Sequence, residues 1–300
     1  MNLGSSTKGR DDGIGVACAI GAFTAWGLLP LYWRRLAEVS ALDLIAQRIV
    51  WSLVVVIGLL IAGRRLKELR QAFASWPVLR GLLIATLLLG PNWLVYVWAV
   101  NAGRVLETSF GYFVNPLISV ALGRLVLGET LQPWQRVAIA LAGMAVAWLT
   151  IADNTPPWIG LFLAATFGIY GLMRKITPVG SLPSLAVETI VLAPLALGVI
   201  GLQAVRGYDA FARLDDLGDA MLVASGLVTA GPLLLFAMAA RCIRLTTLGL
   251  CQYLNPSLQF GLAIVVYGEA ASMSDLLAIG PIWMGLAIYT LDARRADTKS

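Results

Sequence analysis

VLETSFGYFVNPLISVALGRLVLGE, residues 105–129, and LTTLGLCQYLNPSLQFGLAIVVYGE, residues 245–269, decide how this chain is read. Asn115-Pro116 in the first stretch returns as Asn255-Pro256 in the second, and Gly128-Glu129 returns as Gly268-Glu269. Neither dipeptide occurs elsewhere, and the shift is 140 residues in both cases. A fixed shift of nearly half the 300-residue chain marks a duplicated unit. Leu122/Leu262, Val126/Val266, Ala138/Ala278, Ile139/Ile279 and Met144/Met284 keep the same register.

Both copies are apolar for most of their length, as is the rest of the chain. Apolar residues make up 59% of the protein and charged ones 13%, with a mean hydropathy of +0.80. A soluble domain carries about 25% charged residues, and a water-exposed surface could not hide this much apolar area. Runs of about 20 apolar residues predict ten membrane spans. They fall near 13–33, 42–62, 80–101, 106–127, 132–150, 157–173, 183–203, 219–239, 246–267 and 273–291. The fold class is therefore an all-α polytopic membrane protein of ten transmembrane helices.

A shift of 140 residues divides ten spans into five and five. Five is odd, so the second half enters the membrane from the opposite side, which makes the halves inverted repeats. The expected divisions are an N-terminal tail at 1–12, repeats at 13–150 and 157–291, and a C-terminal tail at 292–300. Basic residues orient the whole. Lys8, Arg10, Arg64, Arg65, Lys67, Arg70, Arg174, Lys175, Arg241, Arg244, Arg294, Arg295 and Lys299 fall on the side of the N-terminus. Only Arg34, Arg35, Arg104, Arg206 and Arg213 fall opposite. The positive-inside rule then places both termini in the cytoplasm of a cell inner membrane. This bias accounts for the net charge of +5 without a nucleic-acid surface. The first span lacks a small-residue cleavage pattern and reads as retained. Cys18, Cys242 and Cys251 read as packing residues.

Polar groups and helix-weakening residues coincide at mid-depth. Proline removes a helical hydrogen bond, so Pro116 frees the carbonyl of Tyr112 and Pro256 that of Gln252. Gly90-Pro91-Asn92 and Gly231-Pro232 repeat the device in the preceding spans, so four spans are expected to weaken at the midplane. Tyr112, Asn115 and Ser119 share one helical face, and Gln252, Asn255 and Gln259 share its duplicate. Asn92 and Tyr96 add a third polar pair, and Trp26, Trp93, Tyr170 and Tyr253 supply aromatic surface. The set suits a cavity for a small organic solute; singly, each amide also reads as a bridge between helices. Gly13, Ala17, Gly21 and Ala25, and Gly160, Ala164 and Gly168, form small-residue stripes for close helix packing.

Arg48 and Glu188 are intramembrane charges at equivalent places in the two repeats. Inversion sets them at different depths, Arg48 toward the outer vestibule and Glu188 toward the inner, which argues against a direct pair. Glu188 reads either as a proton carrier or as a structural carboxylate, with Glu107 a second candidate for coupling. Glu129 and Glu269 read as caps, loop ties or gate elements on opposite faces. With no histidine, no G-x-x-x-x-G-K-[ST] loop and no metal-spaced cysteines, the chain offers neither a catalytic constellation nor a metal or cofactor site.

The stretches FTAWGLLPLYWRRL (23–36), AQRIVWS (46–52) and NWLVYVWAVNAGRVLETSFGYFVNPLISVALGRLVLGE (92–129) resemble the RarD group of EamA-type drug/metabolite transporters. The resemblance covers nearly the whole chain. It is densest at Trp26-Gly27, Pro30, Trp33, Arg48, Trp51, Asn92-Trp93, Glu107, Gly111-Tyr112 and Asn115-Pro116, and persists at Gln252-Tyr253 and Asn255-Pro256. It implies an alternating-access exporter with a cavity between helices 1, 3, 4, 6, 8 and 9. RarD proteins are labelled chloramphenicol permeases, and relatives move amino acids and other metabolites. The expected function is secondary transport of small amphipathic or aromatic solutes, including drugs such as chloramphenicol. The expected partners are that solute and the lipid bilayer. A membrane-embedded or lipid-modifying enzyme, or a non-transporting receptor, are the alternatives.

Overall fold

A computed structural model describes residues 3–131 apart from 103, scattered positions between 133 and 147, residues 158–266, and positions 280 and 283. The described elements are helices: α1 (Leu3–Trp33), α2 (Ala41–Ala62), α3 (Leu66–Ala74), α4 (Trp76–Asn101), α5 (Val105–Leu125), α6 (Trp158–Ile176), α7 (Ser181–Val205), α8 (Asp216–Cys242), α9 (Leu245–Cys251) and α10 (Leu254–Val265). Six of them are long and apolar enough to cross a membrane. Eight of the ten expected spans fall on described helix. The fifth lies mostly, and the tenth almost wholly, outside the described residues. The protein is an all-α, multi-span membrane protein.

Helix ends follow local chemistry. Ser40 caps α2 by accepting from the Asp43 amide, and Asp215 caps α8 by accepting from the Gly218 amide. The tail expected at 1–12 is already helical from Leu3, continuous with α1. α6 runs to Ile176, beyond the expected end at 173, which draws Arg174 into the bundle.

The most extensive helix contacts all join one half of the chain to the other. α1 packs on α8 as α6 packs on α4; α1 meets α10 as α6 meets α5; α2 meets α7, and α5 meets α9. Exchanging the two halves maps each of these pairings onto another or onto itself, as inverted repeats require. The pairing of α2 with α8 is an exception, being broader than its counterpart between α4 and α7.

Glycines set the closest crossings, since apolar lipid gives helices no hydrophobic reason to associate and close packing must do so instead. A Cβ at Gly111 would stand 3.0 Å from the Gly160 carbonyl oxygen, and one at Gly249 would stand 2.9 Å from that of Pro116. The small-residue stripe of α6 thus lies against α5, whereas Gly13 of the α1 stripe faces open space.

The expectation of four weakened spans is corrected. α4, α5 and α8 run unbroken through Pro91, Pro116 and Pro232, and α1 and α7 likewise contain Pro30 and Pro194. Among the described spans only the ninth is interrupted, between α9 and α10. There the Gln252 carbonyl, denied its partner by Pro256, accepts from the Asn255 amide at 3.1 Å in a tighter turn.

Candidate functional site

A cavity of about 200 Å³ lies where the two halves cross. α1 contributes Phe23, Trp26, Pro30 and Trp33; α2 contributes Arg48; α4 contributes Asn92, Trp93 and Tyr96. α5 adds Thr108, Gly111, Tyr112 and Asn115, α6 adds Leu163 and Phe167, and α8 adds Thr229 and Leu233. Gln252, Asn255 and Gln259 come from the broken ninth span. The lining reaches Trp33 at the end of α1 and Thr108 near the start of α5. The cavity therefore occupies the half of the bundle away from the N-terminal face.

Toward that face it is floored by aromatic rings. Phe167 and Phe236 lie 5.3 Å apart, Trp26 and Phe236 5.7 Å, and Tyr170 stacks on Phe236 at 5.9 Å. Beyond the floor the face itself is tied shut. Both Glu129 carboxylate oxygens accept backbone amides at the start of α9, from Leu245 at 2.8 Å and Thr246 at 2.9 Å. Arg244 donates to the Thr130 carbonyl, and Lys175 Nζ donates to the Ala240 carbonyl at 3.2 Å.

The cavity's polar groups divide into those that are engaged and those that are not. Asn92 Nδ2 donates to the Leu163 carbonyl at 2.9 Å and to Thr166 Oγ1 at 2.8 Å, which bridges α4 to α6. Gln259 Nε2 donates to Asn255 Oδ1 at 2.9 Å. Gln252 Nε2 donates to Ser119 Oγ at 3.3 Å, which leaves Oε1 without a partner. Arg48 Nε, Asn115 Oδ1 and Thr229 Oγ1 are also buried without a hydrogen-bond partner, and all four of these residues line the cavity.

Arg48 is held by rings. Its guanidinium carbon lies 5.2 Å from the centre of Trp33 and 5.1 Å from that of Trp93. Each such contact contributes about 0.5–2 kcal/mol, whereas removing an ion from water costs several. Among the described residues no carboxylate pairs with it.

Four expected site residues stand elsewhere. Ser119 and Tyr253 are buried between helices, and the Tyr253 hydroxyl donates to the Phe113 carbonyl at 3.3 Å. Tyr170 is fully buried and donates to Glu188 Oε2 at 3.2 Å. Glu188 lines no vestibule: Arg174 Nη1 donates to its Oε1 at 2.8 Å, and both side chains are almost wholly buried. Arg174, expected in a connection, becomes its partner because α6 is longer than hydropathy alone suggested. Arg48 does not pair with Glu188. The Glu107 side chain, and Glu269 altogether, lie outside the described residues. Thr229 was missed, although its place three residues before Pro232 parallels that of Asn92 beside Pro91.

A bundle of interleaved apolar helices around an aromatic and polar cavity is the kind of setting in which a membrane protein holds a small solute. The chain belongs to the EamA-like transporter family, which residues 13–151 match. It is 42% identical to Protein RarD of Streptomyces exfoliatus, over 95% of this chain and 91% of that protein. It is 44% identical to an uncharacterized transporter of Pseudomonas aeruginosa, over 94% and 95% of the two chains. A solved crystal structure 22% identical in sequence shares the fold, with a TM-score of 0.71 over 94% of this chain and 98% of that one.

Proposed function

We propose that the protein is a secondary active exporter of small amphipathic or aromatic metabolites, working by alternating access around this cavity. The observation that carries the reading is the cavity itself, built jointly by both halves from Trp, Tyr, Asn and Gln side chains at the depth where the ninth span breaks. A volume of about 200 Å³ lies below the roughly 300 Å³ at which drug-sized pockets begin. A metabolite of one ring with short polar arms fits this better than a bulky drug, and chloramphenicol belongs among the solutes to test. In this reading the membrane is the cell inner membrane with both termini in the cytoplasm, and the cavity is separated from the cytoplasmic face by the aromatic floor and the Glu129 clamp. Rocking of one set of helices against the other would release that clamp. Glu188 is held in its pair with Arg174, which leaves Glu107 as the carboxylate to test for proton coupling.

The test is flux in proteoliposomes with labelled metabolites, with and without a pH gradient. Protein-dependent, saturable flux is expected, reduced at least tenfold when Asn115 and Asn255 are both replaced by Leu. Flux no faster than in empty vesicles would remove the transport reading, and full activity of the double variant would remove these amides from the site.

A further inference from the structure

The unpaired groups of the cavity carry a statement about the charge of its solute, which rests on the transport reading above. We propose that the site selects an amphipathic carboxylate, with its anionic group on Arg48 between Trp33 and Trp93 and a hydrogen-bond donor on the amide oxygens of Asn115 and Gln252.

Arg48 is a permanent cation inside the membrane-spanning bundle. The rings of Trp33 and Trp93 flank it at 5.2 and 5.1 Å, and its Nε has no acceptor. The other intramembrane arginine behaves differently. Arg174 is neutralised by Glu188 at 2.8 Å and lies outside the cavity. The fold can therefore supply a carboxylate to a buried arginine, yet none of the described residues supplies one at Arg48. Rings hold a guanidinium in place without using up its N–H groups, which remain free for a paired acceptor such as a carboxylate.

The other polar end has the opposite bias. Gln252 Oε1 is an acceptor without a partner, while its Nε2 donates to Ser119 Oγ. Asn115 Oδ1 is likewise unpartnered, one helical turn further in than Tyr112. Neutral oxygens of this kind favour a hydroxyl or amide donor. The described lining holds no acidic side chain that would answer an ammonium group. Trp26, Tyr96 and Tyr112 also line the cavity and suit a ring. The solute so defined is an anion with an aromatic or apolar body, in contrast to a cation or a neutral drug.

A matched series tests this by binding alone: N-acetylphenylalanine, its methyl ester, and phenylalaninamide, titrated into the purified full-length protein and followed by calorimetry. The acid is expected to bind at least tenfold more tightly than the ester, with the cationic amide weakest. Arg48→Gln should bring the acid-to-ester ratio close to one, and Arg48→Lys should restore part of it. Equal binding of acid and ester by the natural protein overturns the proposal, as does preserved discrimination in Arg48→Gln or failure of the whole series to bind. Should Arg48→Gln fail to fold, the acid–ester comparison in the natural protein decides alone. Saturable flux of a neutral solute such as chloramphenicol, alongside equal binding of acid and ester, would overturn the anion preference and leave transport standing. Loss of all flux would instead remove transport.

Discussion

Two arginines in one bundle show how neighbours decide what a buried charge does. Arg174 Nη1 and Glu188 form a network with Tyr170 and Ser184, with Arg174 Nη2 left buried and unpartnered, so the pair behaves as part of the packing. Removing one partner leaves the other buried and unpaired, which typically costs about 3–5 kcal/mol, whereas replacing both by apolar groups costs far less. Glu188→Leu is therefore expected to lower the thermal unfolding midpoint in detergent sharply, and adding Arg174→Met should recover much of the loss. A single variant as stable as the natural protein would show that the pair is not structural. Arg48 differs because its stabilising contacts are rings, and rings leave its hydrogen-bonding capacity open.

At the scale of helices, close approach and capping carry the packing. Gly226 of α8 lies directly over the Trp51 backbone of α2, where an added Cβ would meet the carbonyl carbon and oxygen, and Ser52 Oγ donates to the Gly226 carbonyl at 3.1 Å beside it. Gly226→Ala must push the two helices apart and is expected to destabilise the protein by about 1–3 kcal/mol, read as a lowered denaturation midpoint. Gly13→Ala, in open space, should leave it nearly unchanged. Glu129 tests the other device. Hydrogen bonds to a charged group contribute about 1.5–3 kcal/mol, so Glu129→Ala should raise the open population of this face at least tenfold. The readout is thiol labelling of a Leu248→Cys probe in a chain lacking the three native cysteines, since Leu248 is wholly buried in the closed state. Unchanged labelling would mean that the clamp does not hold the face.

For the whole molecule the main fact is interleaving. α1 makes its broadest contacts with α8 and α10, and α5 with α6 and α9, so among the described helices neither repeat carries its own principal interfaces. Residues 1–152 expressed alone should accordingly be protease-sensitive and polydisperse in detergent where the full chain is neither. A compact, protease-resistant fragment would contradict this. Composition, span count and the twinned dipeptides made the helical membrane fold and its inversion legible, because lipid imposes length and apolarity on every spanning segment. Mid-depth amides and aromatics pointed to the region of the cavity, and Trp26, Arg48, Asn92, Trp93, Tyr96, Tyr112, Asn115, Gln252, Asn255 and Gln259 do line it. Ser119, Tyr170 and Tyr253 share the composition and depth of these residues yet face neighbouring helices, a distinction that helical periodicity alone could not make.

By itself, then, the sequence determined that the chain spans a membrane as two opposed copies of one unit, since hydropathy and repeat register are properties of residue order. Tertiary structure decided which charges are answered from within. Glu188 found Arg174 because α6 is longer than its apolar run, and Arg48 found two indole rings. The same packing let α5 stay whole across Pro116 while the duplicate helix broke before Pro256. Such outcomes depend on which side chains from distant parts of the chain meet at one depth, and only the packed bundle brings them together.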